Sequence, residues 1–176
     1  MLVDVYTPHI PIIINSNEDF ISQGWSGNGT ESNPYVIEGL SIISSETCIS
    51  ISDTNVHFEI RNCLISASNL STNNGIAFSN VMNGVIRDCF VELHYYGIYL
   101  YSSSFCSLMN NNATKNLWYG FYLSSSTSCI LTNNTACENK YGFYLSSSSL
   151  CILTDNTLYG NGLVIRGDSV SNWLHT

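Results

Sequence analysis

Four charged residues near the middle of the chain have the types that acid–base chemistry on a polysaccharide needs. They form two pairs, Glu59 with Arg61 and Arg87 with Asp88. Glycoside hydrolysis requires two carboxylates about 5 to 10 Å apart on one face, and lysis of a uronic polymer requires a basic residue beside an acidic cluster that holds Ca²⁺. Opposite charges on neighbouring strands also form ordinary surface ion pairs. We therefore assign no catalytic set, and these four residues are the candidates if the chain is an enzyme.

Tyrosines supply the other candidate site. Six of them recur at matching positions with a tryptophan beside them: Tyr96, Tyr99, Tyr119, Tyr122, Tyr141, Tyr144 and Trp118. If they point outward from successive strands, they form a flat aromatic ladder, which suits contact with sugar rings or with another protein. The alternative is that repeated tyrosines only stabilise the sheet by stacking like on like.

Histidines and cysteines give no metal or redox motif. The four histidines share no ligand spacing, and the seven cysteines include no Cys-x-x-Cys pair. The sequence therefore predicts no metal and no cofactor, with His57 and His94 at the surface. We expect most cysteines to be small buried apolar side chains in two inward columns, although a disulfide between column members is geometrically possible. Cys137 is expected to face a turn and to be the most exposed thiol.

The elements that position these residues are strands of a repeat. Three segments share the pattern Tyr-Gly-(Ile or Phe)-Tyr-Leu, at residues 96–100, 119–123 and 141–145. Each is followed by a run of serines, then by Cys-x-Leu, and then by an asparagine 14 residues after the glycine. Residues 48–51 and 74–78 open looser copies, and a partial copy begins at Gly162. A repeat near 22 residues with alternating apolar positions is typical of a β-solenoid.

Stacking of equivalent residues predicts what each recurring side chain does. Alternation points Phe121 and Leu123 into the core and Tyr122 outward, and Leu163 is expected to follow Phe143 in the last copy. The recurring asparagine is expected at a bend, bonded to its own turn and to the next asparagine. The recurring glycine is expected where a bend needs a positive φ or a close approach. The sequence therefore predicts an all-β fold, a right-handed single-stranded parallel β-helix of about five to six coils with an N-terminal cap.

The N-terminal residues depart from the repeat. Residues 12–14 are typical of a strand, and Asn15 or Ser16 is placed to cap a helical turn. We expect residues 1–40 to cap the solenoid and to lead into the first coil, with residues 41–176 forming the repeats of the same domain. No such cap is recognised at the other end, where the sequence stops within a coil. Either the chain is C-terminally truncated, or the open coil pairs end to end with another chain.

Charge and composition exclude several partners. The 5 basic residues are scattered among 13 acidic ones, for a formal net charge of −8. Binding to nucleic acid needs clustered cations, so nucleic acid is excluded. The longest apolar run, residues 10–14, is far too short to span a bilayer, and no membrane partner is expected. The first residues lack the features of a signal peptide, and an extracellular or cell-surface location applies only if the chain is part of a longer secreted protein.

The repeats also carry a family resemblance. The Tyr-Gly-Ile-Tyr-Leu coils, with their serine runs and Leu-x-x-Asn ends, resemble the parallel β-helix repeats of the NosD-type and the carbohydrate-binding and sugar-hydrolase families of the pectate-lyase-like superfamily. Residues 27–30 and 34–39 are similar to the N-terminal cap of many such proteins. The resemblance covers about residues 11–167 and implies the β-helix fold. Members include polysaccharide lyases and hydrolases, surface adhesion modules and copper-site maturation proteins, so the fold alone does not choose an activity.

From these features we interpret the chain as a non-catalytic β-helix module. It is expected to contact a glycan or another protein through the outward tyrosines, or to serve as a structural spacer. One alternative is a carbohydrate-active enzyme, a polysaccharide lyase or a glycoside hydrolase, that uses the four charged residues. The other is a structural β-solenoid that assembles end to end through its open C-terminal coil.

Overall fold

A computed structural model of the chain describes residues 6–167 and 173–174, with the backbone alone for residues 163–167 and 173–174. These residues form three parallel sheets of seven strands each, wound around one apolar core. In chain order the elements are β1 (Thr7–Pro8), β2 (Ile12–Ile14), α1 (Asn17–Ser22), β3 (Tyr35–Glu38), β4 (Leu40–Ile43), β5 (Ile49–Thr54), β6 (Phe58–Arg61), β7 (Leu64–Ser66), β8 (Ile76–Val81), β9 (Gly84–Arg87), β10 (Phe90–Glu92), β11 (Tyr96–Tyr101), β12 (Ser107–Met109), β13 (Asn112–Thr114), β14 (Tyr119–Ser124), β15 (Ile130–Thr132), β16 (Thr135–Cys137), β17 (Tyr141–Ser146), β18 (Ile152–Thr154), β19 (Thr157–Tyr159), β20 (Leu163–Gly167) and β21 (Trp173–Leu174). No helix in this described part is long and apolar enough to cross a membrane.

Every third strand belongs to the same sheet. Sheet 1 runs from β1 to β19, sheet 2 from β2 to β20 and sheet 3 from β3 to β21. Each strand pairs in parallel with its equivalents one coil before and one coil after, so that Tyr99 lies opposite Ala77 on one side and Tyr122 on the other. This stacking in register confirms the predicted parallel β-helix.

The core confirms the alternation of inward and outward residues. The first inward column of sheet 2 consists of fully buried side chains, at Ile49, Ile76, Ile98, Phe121 and Phe143. The prediction for the last coil is wrong by two residues, because Leu163 lies opposite Tyr141 and not opposite Phe143. The asparagine before it sets this register, since the backbone N–H of Asn139 donates to the Asn161 side chain at 3.0 Å.

Asparagine ladders hold the bends between strands. As predicted, Asn111 donates its amide to Oδ1 of Asn134 at 3.0 Å, and Asn134 donates to Asn156 at 3.1 Å. Asn134 also donates to the carbonyl of Leu108 at 2.8 Å, so the buried amide is satisfied. The residue just before each ladder asparagine adopts a left-handed backbone conformation, as at Asn133 with φ 55°. In the two earlier coils, Cys63 and Cys89 take the ladder position, and the backbone N–H of Cys89 donates to Asn111.

The recurring glycines permit a close approach of coils. Gly97 and Gly120 are not among the residues with positive φ. A Cβ atom on Gly97 would lie 2.7 Å from the carbonyl oxygen of Gly120 and 2.8 Å from the Asn116 amide. Of the two reasons that the sequence offers for these glycines, the close approach is therefore the one that applies.

A second asparagine ladder lies at the bends that follow the strands of sheet 1. His94 occupies its first position, so the prediction that His94 lies at the surface is wrong. Asn116 donates to Asn139 at 3.0 Å, and Asn139 donates to Asn161 at 3.1 Å. His94 takes the same position one coil earlier, where its backbone N–H donates to Asn116 at 3.1 Å. Its side chain is therefore fully buried rather than at the surface, with Nε2 3.6 Å from Sγ of Cys48. Burial lowers the pKa of His94 to about 4 and raises the pKa of the Cys48 thiol to about 12.

The cysteines pack as apolar side chains. All seven are buried and carry free thiols. Both predicted columns are present, Cys63 with Cys89 and the column of Cys106, Cys129 and Cys151. Cys137 is the most exposed of the seven, as predicted, but at 5% exposure it is itself buried at the end of β16.

The N-terminal segment covers one end of the core. The Phe20 ring of α1 is fully buried and stacks on Tyr35, with ring centroids 4.9 Å apart. Asp19 accepts the backbone N–H of Asn15 at 2.7 Å, which holds the start of the helix. Gln23 donates to the carbonyl of Ile13 at 2.8 Å and so covers part of the exposed edge of β2. The predicted pairing through the C-terminal coil concerns side chains outside the described residues and stays a prediction.

Candidate functional site

Sheet 2 brings all six predicted tyrosines together on its outer surface. We call this surface the tyrosine face; it consists of Tyr96, Tyr99, Tyr119, Tyr122, Tyr141 and Tyr144 on β11, β14 and β17. The register aligns them in two rows along the solenoid axis. In the outer row, the ring centroids of Tyr99 and Tyr122 are 5.0 Å apart, and those of Tyr122 and Tyr144 are 5.1 Å apart. Trp118 lies directly before the middle strand.

The tyrosine rings pack on one another. Neighbours along the outer row are stacked, with planes 28° and 26° apart. The rows also interlock, since the Tyr119 ring lies 5.0 Å from that of Tyr122 and 4.8 Å from that of Tyr144. All six side chains are therefore only partly exposed. Because stacked rings cover each other's faces, the surface offers ring edges and phenol hydroxyls rather than open ring faces.

The tyrosine face is uncharged. None of its three strands contains an acidic or basic residue. A further outward row consists of Tyr101, Ser124 and Ser146, which lie in register and carry hydroxyl groups. The nearby cation of Lys140 lies over the Trp118 ring, with Nζ 3.4 Å from the ring centroid. The surface therefore presents hydroxyl groups in regular rows along one direction.

Two phenol groups of this face, those of Tyr96 and Tyr99, keep their protons. Burial and the neighbouring phenols raise the pKa of Tyr96 and of Tyr99 above the usual value. Their hydroxyls are consequently neutral at any physiological pH. A neutral phenol can both donate and accept a hydrogen bond, which is the capacity that a ligand rich in hydroxyl groups requires.

The four catalytic candidates also come together, on the outer surface of sheet 3. Arg61 binds Glu59 at 3.0 Å, Arg87 binds both Glu59 and Asp88, and the Arg87–Asp88 pair measures 2.6 Å. Glu38 on β3 joins them with a 2.6 Å contact to Nε of Arg61. We call these five residues the charged cluster. Glu38 is not among the candidates from the sequence, although aligning the strand Val-Ile-Glu with Glu-Ile-Arg one coil later identifies it.

The charged cluster is arranged as an ion-pair network. Both carboxylate oxygens of Glu59 are held, one by Arg61 and the other by Arg87. The hydrogen bond from Arg61 lowers the pKa of Glu38, which keeps that carboxylate charged. A general acid must carry a proton at working pH, and a general base needs a free lone pair near its substrate. Because the arginines engage both oxygens of Glu59, the geometry favours a structural ion-pair cluster.

Metal ligands do not converge in the described part of the chain. Within residues 6–167 no group of three or more His, Cys, Asp or Glu side chains is placed to hold a metal ion. His9 is exposed beside Trp25, His57 is half-buried and His94 is enclosed in the core. His175 lies outside the described residues.

Comparison with solved structures identifies the fold. The chain is similar to the alginate lyase of Paenibacillus sp. str. FPU-7, with a TM-score of 0.61 and 11% identity over 89% of this chain and 64% of the lyase. It is also similar to the A-module of the mannuronan C-5 epimerase AlgE4 of Azotobacter vinelandii, with a TM-score of 0.50 and 12% identity over 76% of this chain and 48% of the module. The chain thus spans less than two thirds of either protein. No curated protein sequence matches it significantly.

The sequence itself gives the family. Residues 11–176 match the family described as periplasmic copper-binding protein (NosD). This match covers nearly all of the chain. Together with the parallel β-helix it confirms the resemblance seen in the repeats. The chain belongs to the NosD family.

Proposed function

We propose that the chain is a non-catalytic module that binds an extended, uncharged glycan along the solenoid axis through the tyrosine face. The observation that carries the proposal is the repetition of two tyrosines on three successive coils at outward positions that the core does not require. The adjoining row of Tyr101, Ser124 and Ser146 extends the hydroxyl groups across the strand.

The spacing of the face supports a long ligand. The outer-row rings follow one another at 5.0 and 5.1 Å, so a linear polymer lying along the row would meet a hydroxyl group in every coil. Sugars present hydroxyl groups and apolar C–H groups, which match phenol hydroxyls and ring edges. The three strands of the face carry no basic residue for the carboxylates of a uronate polymer, and the nearby Lys140 is engaged with Trp118. A neutral glycan is therefore the better match for these three coils, and the outer row continues to Arg166 opposite Tyr144 on β20.

The charged cluster supports a binding role over catalysis. Its carboxylates are engaged by the two arginines. Two solved proteins with this fold are named for alginate or for mannuronan. Their names support polysaccharide contact as a role that this fold can serve, while the identity of the polymer is argued from the tyrosine face.

A panel of polysaccharides tests the proposal by isothermal titration calorimetry. The variants Tyr122→Ala and Tyr144→Ala remove outer-row rings, and alanine is already present in this row at Ala77. We expect both to weaken binding of a neutral glycan by about tenfold or more, which corresponds to the loss of one or two good contacts. The matched control is Tyr159→Ala, an exposed tyrosine on sheet 1, which should bind as the wild type does. Unchanged binding in both face variants would refute the proposal.

Two further readouts distinguish the alternatives. Release of products from a polysaccharide, lost in Glu59→Gln or Arg87→Ala, would replace the proposal with an enzyme that uses the charged cluster. Association of the chain with itself in light scattering, lost in Tyr122→Ala, would make the tyrosine face a protein interface instead.

A further inference from the structure

A groove on sheet 3 lies apart from the tyrosine face and contains groups that nothing in the described chain satisfies. Its volume is about 430 Å³, within the range of small-ligand sites. It is lined by the loop between α1 and β3, which carries Glu31 (the cap loop), and by residues of the coils. The lining residues used below are Glu31, His57, Glu59, Asn83, Phe105 and Ser107. The floor includes the fully buried Phe58.

The polar side chains of the groove have unused hydrogen-bonding capacity. Among residues 6–167, the carboxylate of Glu31, the imidazole of His57 and the hydroxyl of Ser107 make no hydrogen bond or ion pair. Asn83 uses its amide N–H to reach the carbonyl of Asn55 at 3.0 Å. The remaining donors and acceptors point to a ligand with several polar groups.

Phe105 gives the groove an open aromatic surface. Its side chain is 57% exposed, and its ring has no aromatic partner among the described residues. Phe105 occupies a left-handed bend with φ 54°. The equivalent bend carries Asn83 in the preceding coil, Ser128 in the next coil and Leu150 in the coil after that. A polar residue suits such a bend, so the exposed ring is not required by the turn. Unlike the stacked tyrosines, this ring is free to contact a ligand.

The charges around the groove favour a positively charged ligand. Glu59 forms part of the wall with both oxygens held by arginines, and Arg61 and Arg87 are each bound to two carboxylates. Neither of these two arginines is therefore left to receive an anionic group such as a uronate. The free carboxylate in the groove is that of Glu31, in a chain whose net charge is −8.

We propose that this groove binds an amino sugar with a free amine. The ammonium group would lie between the Glu31 carboxylate and the Phe105 ring, which attracts a cation through its π face. The sugar hydroxyls would use His57 and Ser107. This site is on a different sheet from the tyrosine face and does not depend on the glycan-binding proposal made for that face.

Titration with a β-linked glucosamine tetramer tests the groove by calorimetry. We expect Phe105→Ser and Glu31→Gln each to weaken binding by about tenfold or more, the size expected for loss of an ion pair or cation–π contact in a partly enclosed site. Ser128 occupies the same bend one coil later, so serine is compatible with folding at this position. The matched control is Leu150→Ser, which removes an exposed apolar side chain from an equivalent bend outside the groove. It should bind as the wild type does.

The N-acetylated tetramer supplies the chemical control, because it has the same sugar backbone without the charge. It should bind about tenfold more weakly than the free amine. Equal binding of both tetramers, binding that survives both groove substitutions, or no binding at millimolar ligand would overturn the proposal. Because the N-acetylated tetramer is itself a neutral glycan, both tetramers are also titrated into Tyr122→Ala, which weakens the tyrosine face and leaves the groove residues intact. Binding at the groove persists in this variant and binding at the tyrosine face is lost, so failure at the two sites is separately visible.

Discussion

The coils before residue 96 and the coils after it build the same solenoid with different side chains. In the later coils, asparagines fill the ladder positions, and tyrosines fill the outer row of sheet 2 on β11, β14 and β17. In the earlier coils, cysteines and His94 take ladder positions, and Ser50 and Ala77 replace the outer tyrosines. The charged cluster and most of the groove also belong to the earlier coils. The side chains that recur in every coil thus stabilise the fold. The charged cluster and the groove consist of side chains that do not recur.

Placing a residue of the earlier coils in the later ladder should reduce stability the most. Asn134→Cys introduces a cysteine, as found at Cys63 and Cys89, into the asparagine ladder. It removes the acceptor of two Asn111 donors and the donor to the Leu108 carbonyl. We expect the free energy of unfolding to fall by about 3 to 4 kcal/mol, because each buried orphaned group costs about 1 to 3 kcal/mol.

Urea unfolding measures this loss. The matched control is Asn133→Asp, since Asp88 and Asp155 already occupy the equivalent left-handed position. The control should stay within about 0.5 kcal/mol of the wild type. A loss below about 1 kcal/mol in Asn134→Cys would mean that cysteine serves the ladder as well as asparagine does.

His94→Asn extends the regular ladder by one coil and should alter the response to acid. Above pH 6.5 His94 is neutral in both the folded and the unfolded chain. Between pH 6.5 and its folded pKa of about 4, only the unfolded chain gains the proton. The wild type should therefore lose up to about 3 kcal/mol of stability across this range, at about 1.4 kcal/mol per pH unit, and the variant should lack this contribution.

Unfolding curves at pH 7, 5.5 and 4.5 test this dependence. Taking the difference between variant and wild type cancels the titration of the carboxylates that they share. His57→Asn, at a half-buried position, serves as the control. Parallel stability profiles for His94→Asn and the wild type would contradict the burial of a neutral imidazole.

Removing one ring from the tyrosine face should reduce the stability of the fold by an intermediate amount. Tyr122→Ala makes this row resemble Ala77 of the earlier coils and removes contacts with four other rings, at Tyr96, Tyr99, Tyr119 and Tyr144. We expect a loss of about 1 to 2 kcal/mol, since each aromatic contact is worth about 0.5 to 1.5 kcal/mol and the contacts are not additive. Thermal unfolding measures it. No change would mean that the rings do not support one another.

Neutralising the charged cluster should have the smallest effect. Glu59→Gln breaks two ion pairs in a partly exposed network, and we expect a change of about 1 kcal/mol or less that shrinks further in high salt. Urea unfolding at two salt concentrations measures it. A fall in the free energy of unfolding of more than about 2 kcal/mol would mean that the cluster stabilises the fold as strongly as a buried ion pair does.

The sequence predicts the repeating part of the molecule well, because stacked equivalent positions carry equivalent residues. The inward columns, the ladder through Asn134 and the outward tyrosines all follow from that rule. The second ladder was missed although Asn116 and Asn139 have the same spacing, because the residues around them vary more. His94 was misassigned for the same reason, since a histidine in an asparagine column breaks the pattern that would reveal its burial.

Contacts between non-repeating segments could not be predicted in this way. The groove combines Glu31 of the cap loop with Phe105 of a coil, and no periodicity links these positions. The predicted register of the last coil differs from the observed one by two residues. Hydrogen bonding at Asn161 sets the observed register, whereas the prediction aligned Gly162 with the recurring glycines. The register of this coil thus depends on the hydrogen bonds of Asn161, which a comparison of residue types alone does not reveal.

Ring-labelled tyrosine gives the most direct test of the tyrosine face. NMR spectra of the chain would be recorded while a neutral oligosaccharide is added. The account predicts that resonances of Tyr99, Tyr122 and Tyr144 shift with a common affinity, while those of Tyr35 in the core and Tyr159 on sheet 1 stay in place. Saturable shifts at Tyr159 without shifts at the three face residues, or no shifts for any glycan that binds, would contradict it.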